Sequence, residues 1–160
     1  MFLRNPKILL LIGCLLLSVF GFYLFFTNAR PIPNDLITAS GVVASAEAAR
    51  RRSHRPAHTI WFTLEGESQR FAYPGILPRI RDAEERIEVG APVVVIYANK
   101  PDANDRVELW GLSISGVELV SPSEARSARL KNGYFGLAIG LVFAGYAVYT
   151  WRQVKRGRPA

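Results

Sequence analysis

The sequence predicts a membrane protein in which two transmembrane α-helices flank a small, mainly β extramembrane domain of barrel or sandwich type. Three observations predict it. Tyr134 to Trp151 runs eighteen residues without Asp, Glu, Lys, Arg or His. Ile8 to Phe26 runs nineteen on the same terms. Between them the apolar residues recur with the two-residue period of strands. At ~1.5 Å of rise per residue the two runs reach roughly 28 and 27 Å, close to the hydrocarbon thickness of a bilayer. Backbone amides in lipid find no water, so such runs must be helical to satisfy their own hydrogen bonds.

The expected organisation is a basic cytoplasmic lead at 1–7, a first span at 8–26, an extramembrane domain at 27–133, a second span at 134–151 and a basic tail at 152–160. The first span is read as uncleaved. It is longer than a signal-peptide core and ends in Tyr23, Phe25, Phe26 and Thr27 without a small-residue cleavage pattern. Leu11-Ile12-Gly13-Cys14 resembles a lipobox, but Leu15-Leu16-Leu17 prolongs the apolar run beyond it. Cys14 is the single cysteine, so no intrachain disulfide supports the middle domain.

Arg30-Pro31-Ile32-Pro33 leads out of the first span as extended chain, because neither proline can continue a helix. Gly41 to Ala44 is a first strand, and a polar tract with Arg50, Arg51, Arg52 and Arg55 follows. Ile60, Phe62 and Leu64 alternate with Thr59, Trp61 and Thr63, and Ser68 to Tyr73 return. A two-residue turn at Gly66-Glu67 then sets Phe62 opposite Phe71 and Ile60 opposite Tyr73. Ile76, Ile80, Ala83 and Ile87 recur at helical spacing and predict a short helix over 78–86. Val93 to Tyr97, apolar on both faces, is the expected most-buried strand. Arg106 to Leu112 adds another, with Val107 and Leu109 opposite Glu108 and Trp110. Ile114 to Val120 adds an edge strand. Ser121-Pro122-Ser123-Glu124 is a helix start, with Ser as cap, Pro at the first helical position and Glu three residues after the cap. The segment from Glu124 to Lys131 meets the second span at Asn132-Gly133, which either caps it or kinks one long helix.

The net charge of +7 is carried mostly by the membrane flanks; residues 27–133 hold fourteen basic against thirteen acidic residues. That balance excludes a nucleic-acid partner. Basic residues outside both spans predict termini in the cytoplasm and the middle domain in the periplasm or outside the cell. Neither span carries Asp, Glu, Lys, Arg or His, which argues against a channel or proton-coupled transporter. His54 and His58 are four apart, but Pro56 lies between them and arginines surround them, so no metal site is expected. No nucleophile elbow or Gly-rich phosphate loop occurs, and no cofactor is implied. Two candidate contact sets remain. Arg50, Arg51, Arg52 and Arg55 suit an anionic partner, against the plainer role of a solvated loop. Gly136, Gly140 and Ala144 form a small-residue stripe at four-residue spacing, suited to packing on the first span or on a second copy of the chain.

Gly41-Val42-Val43, Ile60 to Gly66 and Gly90-Ala91-Pro92-Val93-Val94-Val95-Ile96-Tyr97, followed by Asn99-Lys100-Pro101, cover about residues 38–101. In this layout the chain resembles a family of small bacterial membrane proteins of unknown function, the type catalogued as domain of unknown function three-five-nine-two. Ala98 stands where that pattern usually has Asp, and a second nearby proline is lacking. The resemblance implies a small β domain in a bacterial envelope and supplies no catalytic residue; the chain is expected in the inner membrane. The expected function is non-catalytic, an envelope interaction or assembly module whose partners are the bilayer, a membrane or envelope protein, and a second copy of itself through the second span. The alternative is an accessory subunit or enzyme of the envelope. A surface lined by Trp61, Trp110 and arginines would favour partner binding, and a concave pocket joining a histidine to a carboxylate would favour catalysis.

Overall fold

In the computed structural model, which describes residues 6–49, 58–98 and 106–156, the chain divides into two units. One comprises Met1–Arg30 and Leu130–Ala160, the other Pro31–Arg129. Within them the elements are α1 (Pro6–Asn28), β1 (Leu36–Ala49), β2 (Thr59–Leu64), β3 (Arg70–Pro74), α2 (Ile80–Arg86), β4 (Pro92–Ala98), β5 (Arg106–Ile114), β6 (Val117–Val120) and α3 (Pro122–Arg156).

The β unit is a closed barrel. β1 pairs antiparallel with β2 and β4, β2 with β3, and β4 with β5, while a parallel pairing of β3 with β5 shuts the ring. The circular order β1-β2-β3-β5-β4, with α2 between β3 and β4, is the connectivity of an OB-type Greek-key barrel. β6 lies outside the ring on β5. Closure decides between the barrel and sandwich expectations, and it removes the free edges an open sheet would leave.

β1 is fourteen residues long, not the four expected around Gly41. Its first half pairs with β4 and its second with β2, the change occurring at an irregularity between Val43 and Ser45. A strand that serves two partners must bend, and the bulge supplies the bend. The expected register Phe62↔Phe71 and Ile60↔Tyr73 is present. The turn differs: Glu67 N–H donates to Leu64 O at 3.2 Å, which puts Gly66 (φ 79°) third in the turn, not second. The cause is β1. Leu64 pairs with Val43, and Glu65 N–H donates to Val42 O at 2.9 Å, so β2 leaves β3 beyond Thr63.

The core is Val43, Ile60, Phe62, Leu64, Phe71, Tyr73, Val93, Val95, Tyr97, Val107, Leu109, Leu112 and Ile114, closed beneath by Leu77, Ala83 and Ile87 of the α2 region. Phe71 stacks on Phe62 at 5.5 Å and meets Tyr97 edge-on at 5.3 Å. β4 is not buried on both faces as expected: Val93 and Val95 point inward while Val94 is 39% exposed. Its outward Ile96 rests against Gly111, where a Cβ would come within 2.9 Å of the isoleucine side chain. A two-residue turn with positive φ at both Ser115 (51°) and Gly116 (79°) joins β5 to β6.

α2 starts at Ile80, two residues later than expected, because Arg79 (φ 57°) turns left-handed ahead of it. α3 begins with the expected reciprocal cap: Ser121 N–H donates to the Glu124 carboxylate at 3.0 Å and Glu124 N–H to the Ser121 hydroxyl at 3.3 Å. The helix then runs thirty-five residues without interruption, so Asn132-Gly133 neither caps nor ends a segment.

In the helical unit, α1 and α3 run antiparallel. In α1 the buried positions 14, 18 and 21, continued by the partly buried 25 and 28, alternate four- and three-residue steps. Positions 133, 136, 140, 147 and 150 of α3 keep the same seven-residue repeat. This is the seam of left-handed antiparallel packing. At its centre the helices nearly touch. A Cβ on Gly21 would lie 2.5 Å from Gly140 N and 2.7 Å from Gly136 O. Ser18 Oγ donates to Gly140 O at 3.0 Å, and Asn132 Nδ2 to Asn28 Oδ1 at 3.2 Å.

Candidate functional site

The paired registers stack two rows of residues on the outside of the barrel. One row is Glu47, Trp61, Ala72 and Glu108; the next is Ser45, Thr63 and Arg70. Alternation sends the neighbours Ile60, Phe62, Phe71 and Val107 into the core, so the rows face outward. Ala72 is small and leaves room beside Trp61. The Arg70 guanidinium lies 5.1 Å from the Trp61 ring centroid and reaches Glu47 at 2.6 Å. The Ser45 and Thr63 hydroxyls bond to each other at 2.7 Å. An aromatic surface, a guanidinium, a carboxylate and two hydroxyls thus share one exposed sheet face, in the region of an OB barrel that ordinarily meets ligands.

Arg50, Arg51, Arg52 and Arg55, with His54, lie outside the described residues. Their chain segment joins Ala49 to the start of β2, and Ala49 pairs with Thr59, two residues from Trp61. His58, at the foot of β2, is exposed.

Trp61 and Trp110 do not form one patch. Trp110 is the extra residue of a bulge in β5, where Ile96 pairs with Gly111 but Tyr97 with Leu109. The bulge aims the indole outward, and the Arg129 side chain of α3 covers it, its guanidinium 4.7 Å from the ring centroid. Arg129 also donates to the Glu108 carboxylate and, at 3.0 Å, to Leu109 O. Burial lowers the pKa of Arg129 from the usual arginine range, and Glu108 opposes that shift. A second arginine makes a similar bridge: Arg79 donates to Leu119 O and pairs with Glu124 at 3.0 Å. The Ser121 backbone N–H, aided by Arg79, holds the Glu124 carboxyl below its ordinary pKa. Sequence spacing gives no sign of either bridge, since each joins residues twenty or more positions apart.

Elsewhere on the barrel, two shallow grooves of about 390 and 410 Å³ meet at Ser115. Glu85 and Glu88 rim the first, and Val42, Pro92 and Val94 line the second. Among the described residues no group of three or more His, Cys, Asp or Glu is placed to hold a metal ion.

Of the small-residue stripe, Gly136 and Gly140 lie in the seam against α1, whereas Ala144 is half-buried at its flank and Ala147 is the next enclosed position. The four-residue stripe expected from the sequence is therefore a seven-residue seam, because antiparallel left-handed packing follows alternating three- and four-residue steps.

Fold and face together define the class: an OB-type barrel in a chain with two helices long and apolar enough to cross a membrane. No family model, curated protein or solved structure matches the chain.

Proposed function

We propose that this chain is a two-pass inner-membrane protein of the bacterial envelope. Its barrel is a non-catalytic interaction or assembly module outside the cytoplasm, with both termini inside. The observation that carries the reading is the outer face around Trp61. Arg70, Glu47, Ser45 and Thr63 present hydrogen-bonding and stacking groups there, and the chain that joins β1 to β2 carries four arginines in its sequence. Such a face suits an anionic segment of an envelope protein, which the guanidinium groups would contact and the indole would pack against.

Membrane residence is supported by what the helix pair leaves uncovered. Leu16, Val19, Phe26, Phe135 and Val142 are each about two-thirds exposed, while glycines and small polar residues occupy the seam. In water that distribution is inside out; in lipid it is the ordinary one. The bacterial family that the layout resembles is consistent with this setting.

The test is photo-crosslinking in intact membranes from a probe at Thr59, comparing wild type with Trp61→Ala and with Arg50, Arg51, Arg52 and Arg55 all changed to Ala. Loss of one protein adduct in both variants is the expected result. An unchanged adduct pattern, or adducts with lipid alone, would sink the proposal.

A further inference from the structure

Among the described residues of the β unit, the large apolar side chains more than a third exposed are Ile76, Val89, Val94 and Val117. Three of these gather where the two grooves meet. Val94 stands in the outward row Ser40, Val94, Ser113 and Glu118, whose serines are too short to cover it. Val89 is 69% exposed in a turn that Ala91 N–H closes on Glu88 O at 3.0 Å, with Gly90 third in that turn at φ 89°. Val117, 48% exposed, follows Gly116 and pairs with Ile114. Val42, Pro92, Val94 and Val89 thus line one furrow that passes Ser115, with Val117 at its edge. Contiguous apolar surface left open on a folded unit marks a contact site.

The rim of the furrow is acidic, and its charge decides what can lie there. Glu85, Glu88 and Glu118 are exposed and make no ion pair among the described residues, where Arg86 is the one base lining the furrow. An anionic lipid surface would be repelled. A second copy docked face to face would set like carboxylates against each other. A small molecule needs enclosure, which these shallow grooves do not give. An extended protein segment needs none: its apolar residues pack on the valines, and long Lys or Arg side chains reach the carboxylates at the rim. We infer that this furrow docks an extended cationic segment of a partner protein, in which apolar residues alternate with Lys or Arg. The surface recognises the opposite charge from the Trp61 face. It depends neither on that reading nor on the membrane assignment.

The full chain, purified in a nonionic detergent, is titrated into a fluorescein-labelled octapeptide of alternating lysine and valine and followed by fluorescence anisotropy, with empty micelles as the blank. Saturable binding is expected, weakening as salt is raised. Changing Glu85→Gln and Glu88→Gln together should weaken it about fivefold, as for two exposed ion pairs. Val94→Ser should weaken it several-fold, whereas Ile76→Ser, which changes an equally exposed residue outside the furrow, should not. Circular dichroism reports whether each variant is folded; if Val94→Ser is not, Val89→Ser decides in its place. An octapeptide with serine for valine should bind several-fold more weakly, and one with glutamate for lysine should not bind. No binding of the lysine–valine peptide would overturn the inference, as would binding that none of the furrow substitutions changes. Equal binding of the glutamate peptide would remove the charge argument, and equal binding of the serine peptide would remove the apolar one; either overturns the proposal. Native mass spectrometry of the chain alone tests the remaining occupant. A dimer lost both in the Glu85 and Glu88 variant and on changing Arg50, Arg51, Arg52 and Arg55 to Ala would give the furrow to a second copy and overturn the partner assignment.

Discussion

Tyr73 sits at the centre of the barrel with no exposed surface, and its hydroxyl donates to Pro78 O where the chain turns toward α2. Burial pushes its pKa far above that of a free tyrosine, with Arg79 pulling the other way. A raised folded-state pKa means the unfolded chain releases this proton first as pH rises. The stabilisation is whole below about pH 10 and is lost above it, by up to ~1.4 kcal/mol per pH unit. Chemical unfolding of the full chain in detergent, followed by near-ultraviolet circular dichroism, should show wild type losing stability between pH 9 and 11. Tyr73→Phe should lose less over that range, while starting roughly 1 kcal/mol less stable at pH 7. Parallel losses in the two proteins would contradict this assignment. Phe71 tests the core itself. It is wholly enclosed between Phe62 and Tyr97, so Phe71→Ala should cost about 3–5 kcal/mol in the same assay. Both positions are legible as core from alternation alone. Trp110 is not, because its cover arrives from Arg129, nineteen residues later in the chain.

Among the elements, the hairpin and the second span show two limits of legibility. Phe62↔Phe71 follows from alternation and loop length, because a slip of one residue would turn a strand's apolar set outward. The turn that joins the strands does not follow, because β1 competes for Leu64 and Glu65. The helix seam shows the same division. The small residues are visible in the sequence, but which face they share depends on how the second helix lies against the first. Gly21, absent from any sequence-based stripe, is the closest point, facing backbone that cannot move aside. Gly21→Leu should therefore separate the helices. With cysteines at Asn28 and Asn132 and Cys14 replaced by Ser, disulfide formation should fall several-fold in that variant. Gly13→Ala, whose Cβ meets nothing within 4 Å, should leave it unchanged. Equal crosslinking in all three would show that this seam does not hold the pair together.

For the whole molecule, two apolar helices and a self-contained barrel imply separate behaviours. The chain should resist alkaline carbonate, and a protease site placed between β1 and β2 should be cut only from the extracytoplasmic side. Cleavage from the cytoplasmic side alone would reverse the orientation, and release by carbonate would remove the membrane assignment. Features that depend on near neighbours are legible in the chain alone: the two apolar runs, strand alternation, the hairpin register, and the Ser121–Glu124 cap, whose groups are three residues apart. The long-range pairings emerge only in the folded chain. β3 meeting β5 turns a sheet into a closed ring, and Arg129 meeting Trp110 turns an exposed indole into a buried one. Such contacts bring together residues tens of positions apart. Their geometry is set by strand bending, bulges and helix crossing, and no local period records these.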